Sequence, residues 1–561
     1  VDSILAREFI VWNMNETQGR ASTGACSFFY KKEEEIMKKK FISLALALTM
    51  LAATAGCGSS GTSTTTGSTA ASATGSSGEK VLNAVYPYAT DAIDPKTDFA
   101  QLLRSGVGET LYKIADDLTV QPWLADSAES NDECTQWVVT LKDGIKFSND
   151  DSCDAEAVKA WFERMNEECS AIQSSLCIDS MEADGLKITF NLSAPKVTFL
   201  NELAQPQAVI LDFDAGNFDT APVATGPYKI DSYSPNVGLY LSRNDNYWDG
   251  DVPFDKVNFL INTDVSARQM ALTSGDAQMI GNPSYDSISA LEEEDGISVA
   301  IADFGARANY IDYNCASTSK YTSNVNFRKG VDALIDRESI VESVYNNAAQ
   351  LAVGCIPTGT DFTPDYESHE YNVETALSYF KEAGLDVEDG QVTDGGTPIT
   401  LKFNCYDSQA EYPAVAQLIQ ASLQSVGIQA EISMCPSDIN SWLGDEANDT
   451  EWDISMASMF AMPKGDPSNI VSCCYKSDSI YNYLGTDDEE LYSLVDKALS
   501  EVDVTARTQE MKDIAKMVED KCYMSFFVNP KNVIAYSDNL TGVDASPNEY
   551  YFITKDVDVV K

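Results

Sequence analysis

From Val81 onward the chain alternates short runs of period two with stretches of period near 3.6, and this alternation constrains its fold more than any other feature. The runs VLNAVYP, WVVTLKDGIKF, LKITFNL, VGLYLSRN and KVNFLIN read as strands, and DAEAVKAWFERM reads as a helix. Asp154 is placed to cap that helix, while Ala157, Val158, Trp161, Phe162 and Met165 fall on one face, a packing stripe rather than a ligand site. From Asn326 longer helices take over, NFRKGVDALIDRESIVESVYN, NVETALSYFKEAGL and PAVAQLIQASLQSVG, followed by a strand IQAEISM. Gly384 and Gly427 stand where helix C-caps belong. A last strand-like run, MSFFVNPKNVIAY, precedes the tail. The pattern predicts an α/β chain of two lobes whose C-terminus returns to the first.

The region before Val81 has a different character. MKKK at residues 37–40 leads into FISLALALTMLAATAG, a basic segment followed by an apolar one that ends in small residues, which is the layout of a secretory signal. The apolar run is shorter than the ~20 residues a membrane-spanning helix needs. It stops at Cys57, and the stretch TAGC resembles a bacterial lipoprotein lipobox, which implies cleavage before Cys57 and lipidation of its thiol. Residues 58–80 are rich in Gly, Ser and Thr, have nothing to bury, and read as a flexible tether. A signal of this kind acts at an N-terminus, so residues 1–36 read as a non-native upstream extension.

Charge and motif content narrow the function. The chain carries 38 basic and 87 acidic residues, a net charge of −49, which repels nucleic-acid phosphates. No CxxC pair occurs among the 13 cysteines, so zinc-ribbon and thioredoxin chemistry are not expected, and the vicinal Cys473-Cys474 is assigned no role. HExxH, GxSxG and P-loop motifs are also missing, so neither catalytic residues nor a cofactor are expected. Asp245, Asp249 and Gly250 mimic a calcium loop, but Tyr247 and Lys256 stand where that loop needs oxygen ligands. The lone histidine, His369, lies in the polar run DYESHEYN and reads as solvated.

Several motifs in order carry a resemblance: IDP at 93–95, LADSAE, VVTLKDGIKFSN with DAEAVK, ATGPYKI, RNDNYWDG, ALTSGDAQ, IDRESIV, KEAGL, QASLQSVGIQAEI, Asp466-Pro467 and DVTARTQEMKDIAK. Together they resemble the family 5 extracellular solute-binding proteins, the peptide, nickel and opine receptors of ABC importers. The resemblance implies a two-lobed, type II venus-flytrap fold with a ligand buried at the hinge. Lobe one would span 81–313 in two subdomains, lobe two 314–522, and 523–561 would return to lobe one. It also implies ABC permease and ATPase partners, a monomer, a lipid anchor on the outer, extracellular or periplasmic, face of the cell membrane, and a ligand of the peptide or nickel-chelate class. DFAQLLRS, FSNDDSCDAEAV and NEYYFITKDV are closest in texture to the metal-chelate receptors.

Position within the family pattern puts Tyr86, Tyr88, Phe99, Gln207, Arg307, Tyr310, Phe460 and Asp466 near the cleft. Residues 204–207 read AQPQ where relatives carry an arginine, and Pro463 stands where peptide receptors carry an ammonium-binding aspartate. Asp466 is the acidic group left to hold an ammonium. The alternatives from other classes are a carboxylate-based hydrolase and a surface adhesin or sensor on the same fold.

Overall fold

The computed structural model describes residues 79–560 apart from 98–99, 367, 407–408, 436–441, 444, 446–447, 449 and 480. The upstream extension, the signal segment, Cys57, most of the tether and Phe99 therefore lie outside the described residues.

Two large sheets organise the chain. The first has seven strands in the order Ile297–Ile301, Val533–Ser537, Met279–Gly281, Val81–Tyr86, Lys256–Ile261, Gly238–Arg243 and Tyr228–Ser234. Val81–Tyr86 runs parallel to both Lys256–Ile261 and Met279–Gly281. Parallel strands are covered on both faces, and accordingly Leu82, Ala84, Phe259 and Met279 are buried on one face and Val85 and Ile280 on the other. A separate four-stranded antiparallel sheet, Ala125–Ser130, Gln136–Leu141, Lys187–Leu192 and Ile178–Asp184, packs against helix Ala155–Glu168. Asp154 caps that helix, accepting from the amides of Glu156 and Ala157 at 3.1 Å each, and Val158, Trp161, Phe162 and Met165 enter the core.

The second large sheet has six strands, Ala349–Leu351, Met524–Pro530, Arg307–Tyr313, Ile454–Phe460, Thr400–Tyr406 and Gln429–Cys435. Helices Tyr412–Ser425 and Val504–Lys521 pack against it. Strand pairing moves the lobe boundaries from those expected. Arg307–Tyr313 and Met524–Pro530 pair with each other and belong to this sheet, so the chain changes lobes at 302–306 and 531–532 rather than at 314 and 523. The run MSFFVNPKNVIAY is thus two strands in different lobes; Pro530, which lacks an amide donor, ends the first ladder. The long helix expected from Asn326 is also two, Val325–Asp332 and Arg337–Ser343, because Asp336 starts a new helix by accepting from Ser339 N at 3.0 Å.

The crossings lie side by side, with Ala302 N donating to Asn532 O at 2.9 Å. A Cβ on Gly305 would stand 2.4 Å from Pro530 O, so only glycine permits this approach. All eleven cysteines among the described residues are free.

The ATGPYKI and RNDNYWDG motifs form one packing site. Gly226 lies so close to the backbone of Gly106 and Val107 that a Cβ would stand 2.5 Å from Val107 O. Asn244 Nδ2 donates to Gly226 O at 2.8 Å. The buried carboxylate of Glu109 then accepts from Thr225 Oγ1 and Trp248 Nε1 at 2.8 Å each and from Tyr247 OH at 3.0 Å. Burial pushes this carboxyl up to about 7, against the pull of its three donors. Replacing Glu109 with Leu strands all three donors and is expected to cost about 3 kcal/mol or more, read as a lower urea midpoint; an unchanged midpoint would show that the motif is not held this way.

Candidate ligand-binding cleft

The ends of the two sheets face each other beside the crossings. Tyr88 follows the carboxyl end of Val81–Tyr86 and Asn282 follows that of Met279–Gly281, the edge at which open α/β sheets take ligands. From the second sheet, Arg307 begins its strand and Phe460 ends the neighbouring one, the two directly paired. The returning tail places Glu549 between them.

Glu549 joins the two lobes. Its carboxylate accepts from Tyr88 OH at 3.1 Å and from Arg307 Nε at 3.3 Å. Its backbone oxygen accepts from Arg104 Nε at 3.1 Å and Tyr86 OH at 3.3 Å. The residue has φ of 59°, a left-handed conformation that costs a non-glycine residue about 1 kcal/mol. Both guanidiniums lie over aromatic faces: Arg104 over Tyr86 and Tyr88 at 5.1 and 4.8 Å, Arg307 over Phe460 at 4.8 Å, with Phe460 stacked on Tyr550 at 5.9 Å. Burial raises the hydroxyl pKa of Tyr86 and Tyr88 well above the ordinary phenol value, so both stay protonated donors.

Lobe two adds Tyr345 and Glu411. Tyr345 OH donates to Glu411 Oε1 at 3.5 Å, and its ring lies 4.9 Å from that of Tyr285. Burial raises the Glu411 carboxyl, with Arg307 and the Tyr345 hydroxyl acting in the opposite direction. Tyr285 OH reaches Lys531 O in the crossing at 3.0 Å. Elsewhere the lobes touch through Lys464, which pairs with Glu202 and whose carbonyl accepts from Asn201 Nδ2 at 2.8 Å.

Of the residues expected at the cleft, Tyr86, Tyr88, Arg307 and Phe460 meet around Glu549. Tyr310 does not. It is three residues from Arg307 in one strand, an odd spacing that turns it to the opposite face. There it packs 5.2 Å from Phe526 with its hydroxyl 3.9 Å from Cys474 Sγ. Asp466 is not available to an ammonium either: its buried carboxylate takes two bonds from Arg507, at 2.7 and 2.8 Å, and one from Ser468 N at 2.9 Å. Gln207 is buried on the turn Pro206–Ala208, and none of its described contacts joins it to Glu549.

Sequence reasoning missed Arg104, Glu549 and Glu411. Each is a charge set inside apolar or aromatic residues, LLRS, NEYYF and EYP, and that oddity was the available signal. His369 is not simply solvated. Although 45 % exposed, it bridges Asp332 through Nδ1 and Glu519 Oε1 through Nε2 at 3.1 Å, in lobe two and apart from the Glu549 cluster.

A family model for bacterial extracellular solute-binding proteins, family 5 Middle, matches residues 119–482. The chain belongs to this family. It is 27% identical over 513 residues to the nickel-binding protein NikA of Staphylococcus aureus, covering 91% of this chain and 96% of that protein. A solved NikA from that species, in complex with Ni(L-His)2, superposes with a TM-score of 0.70 at 25% identity over 86% of this chain and 100% of the other. The nickel ABC transporter structure from Bacillus halodurans gives 0.75 at 32% identity over 86% and 100%. The glutathione-binding protein GsiB of Salmonella paratyphi A is 23% identical over 484 residues, 82% of this chain and 90% of that protein. This family 5 chain is therefore a two-lobed solute-binding protein of an ABC importer, in a family of binding proteins rather than enzymes. Among the described residues no helix is long and apolar enough to cross a membrane.

The His369 bridge gives this binding protein a pH dependence of definite sign. The hydrogen bond to Asp332 raises the imidazole pKa above its ordinary 6.5, outweighing burial. A raised imidazole contributes stability that is full below the unfolded pKa and is lost as pH rises through the folded one. Melting temperature should fall from pH 6 to pH 8, and His369→Gln should flatten that fall. An identical slope in the variant would assign the dependence to other groups.

Proposed function

We propose that this chain captures nickel already complexed by a small amino-acid chelator and delivers it to the importer. What supports this reading is the convergence of Arg104 and Arg307, each held over aromatic rings, on one residue, Glu549, Arg104 at its backbone oxygen and Arg307 at its carboxylate. Guanidinium groups fixed this way suit carboxylates of a chelator. The cleft cluster contains Arg, Tyr, Asn, Glu and Phe but neither imidazole nor thiolate among its described residues, so nickel would bring its own nitrogen ligands. A peptide ammonium at Asp466 is disfavoured, because that carboxylate is buried and held by two bonds from Arg507 at 2.7 and 2.8 Å, whereas Glu549 takes a bond of 3.3 Å from the more exposed Arg307.

Calorimetric titration tests this with nickel alone, nickel with two equivalents of L-histidine, and dialanine. The histidine complex should bind most tightly, and Arg307→Met should weaken it by roughly thirtyfold, the loss of one charge-assisted contact. Tight binding of bare nickel that is insensitive to Arg307→Met would remove the chelate reading, and preference for dialanine would replace it with peptide transport.

We further propose that Cys57 carries a lipid anchor and that residues 58–80 tether the lobes to the outer face of the membrane, on the strength of the TAGC stretch and the Gly/Ser/Thr composition. Metabolically supplied labelled palmitate should be incorporated by the wild type and not by Cys57→Ala. Equal labelling of both would end this reading.

A further inference from the structure

Two hydrogen-bond relays of the same design stand in the cleft, one in each lobe. In the first, Asn282 Nδ2 donates to Tyr88 OH at 3.2 Å, and Tyr88 OH donates to Glu549 Oε2 at 3.1 Å. In the second, Asn309 Nδ2 donates to Tyr345 OH at 2.8 Å, and Tyr345 OH donates to Glu411 Oε1 at 3.5 Å. A tyrosine hydroxyl has one proton, and here each carboxylate takes it. The hydroxyl must then accept from the asparagine, which fixes the side of the amide that carries nitrogen. The oxygen is left over in both cases. Asn282 Oδ1 and Asn309 Oδ1 are buried and have no hydrogen-bond partner among the described residues, and Asn309 as a whole is 1 % exposed.

Leaving a buried acceptor unpaired is destabilising, so two of them created by matching relays mark places where donors belong. Tyr285 ties the relays to one locality: its ring lies 4.9 Å from Tyr345, and its hydroxyl feels the charges of Glu411, Glu549 and Arg307. Arg307 and Asn309 are two apart in one strand and so share its face, and Ser458 Oγ, on the residue paired with Asn309, is a third buried polar atom without a partner.

We propose that Asn282 and Asn309 determine specificity, each accepting an N–H of the ligand, so that the cleft selects amine-bearing solutes and rejects those whose amines are capped. This deepens the solute-binding reading by naming the chemistry required whether the solute is a metal–amino-acid complex or a peptide. An amine bound to a metal keeps its N–H bonds, so both classes satisfy it. The two lobes contribute one acceptor each, which makes the ligand's N–H groups a bridge across the cleft and places the carboxylate end toward Arg307.

The test uses the full chain and four probes: nickel with L-histidine, nickel with N,N-dimethyl-L-histidine, dialanine, and N,N-dimethyl-dialanine. Wild type should prefer the uncapped member of at least one pair by about tenfold or more. Asn282→Leu and Asn309→Leu should each weaken the uncapped probe about tenfold and erase the preference. Asn282→Asp and Asn309→Asp, which keep an acceptor oxygen, should retain it. Circular dichroism of every variant confirms folding, and the aspartate variants carry the test if a leucine variant misfolds: loss of preference in them would overturn the proposal. Unchanged preference in the leucine variants would overturn it, as would wild-type failure to bind either uncapped probe. Which pair wild type binds decides separately between the chelate and peptide readings.

Discussion

Glu549 is the point on which the cleft depends. A single residue of the returning tail supplies a backbone oxygen to Arg104 and Tyr86 of lobe one and a carboxylate to Tyr88 of lobe one and Arg307 of lobe two. Without it the Arg307 guanidinium would lose a carboxylate partner in a partly buried site, where charge is screened less than in water. Its left-handed backbone is supported by neighbours on both sides: Asn548 Oδ1 accepts from Tyr550 N at 3.1 Å, and Ser546 O accepts from Asn532 Nδ2 in the crossing at 2.9 Å. The tail that carries the charge is therefore fastened to the hinge that moves it.

Much of the fold was readable because it rests on local rules. The cap at Asp154, the stripe from Val158 to Met165 and the glycines after two helices are consequences of helix geometry, and the structure has them where the residues put them. The order of motifs was enough to imply the family and its two lobes. What local rules do not contain is which strand pairs with which. Met524–Pro530 and Val533–Ser537 are alike in composition and separated by two residues, yet they serve opposite lobes, and only their partners tell them apart.

The site was legible to a lesser degree, for a related reason. Arg307 and Tyr310 appeared equally plausible as neighbours in sequence, but strand alternation separates them, a rule that applies only once Arg307–Tyr313 is recognised as one strand. Asp466 failed because its partner, Arg507, lies 41 residues away on another helix. Glu549 and Glu411 come from segments distant from every expected ligand residue, and their aromatic sequence surroundings mark them as unusual without saying which residues they join.

The paired crossings at 302–306 and 531–532 have a mechanical consequence. A body joined to another by one connection can swivel in all directions, whereas two adjacent connections, bonded from Ala302 to Asn532 and pressed together at Gly305, behave as two pins on one door. They resist twist and sliding and leave rotation about a single axis as the soft motion. Any opening of the cleft would then follow one angle, whatever the chemical identity of the solute that sets it.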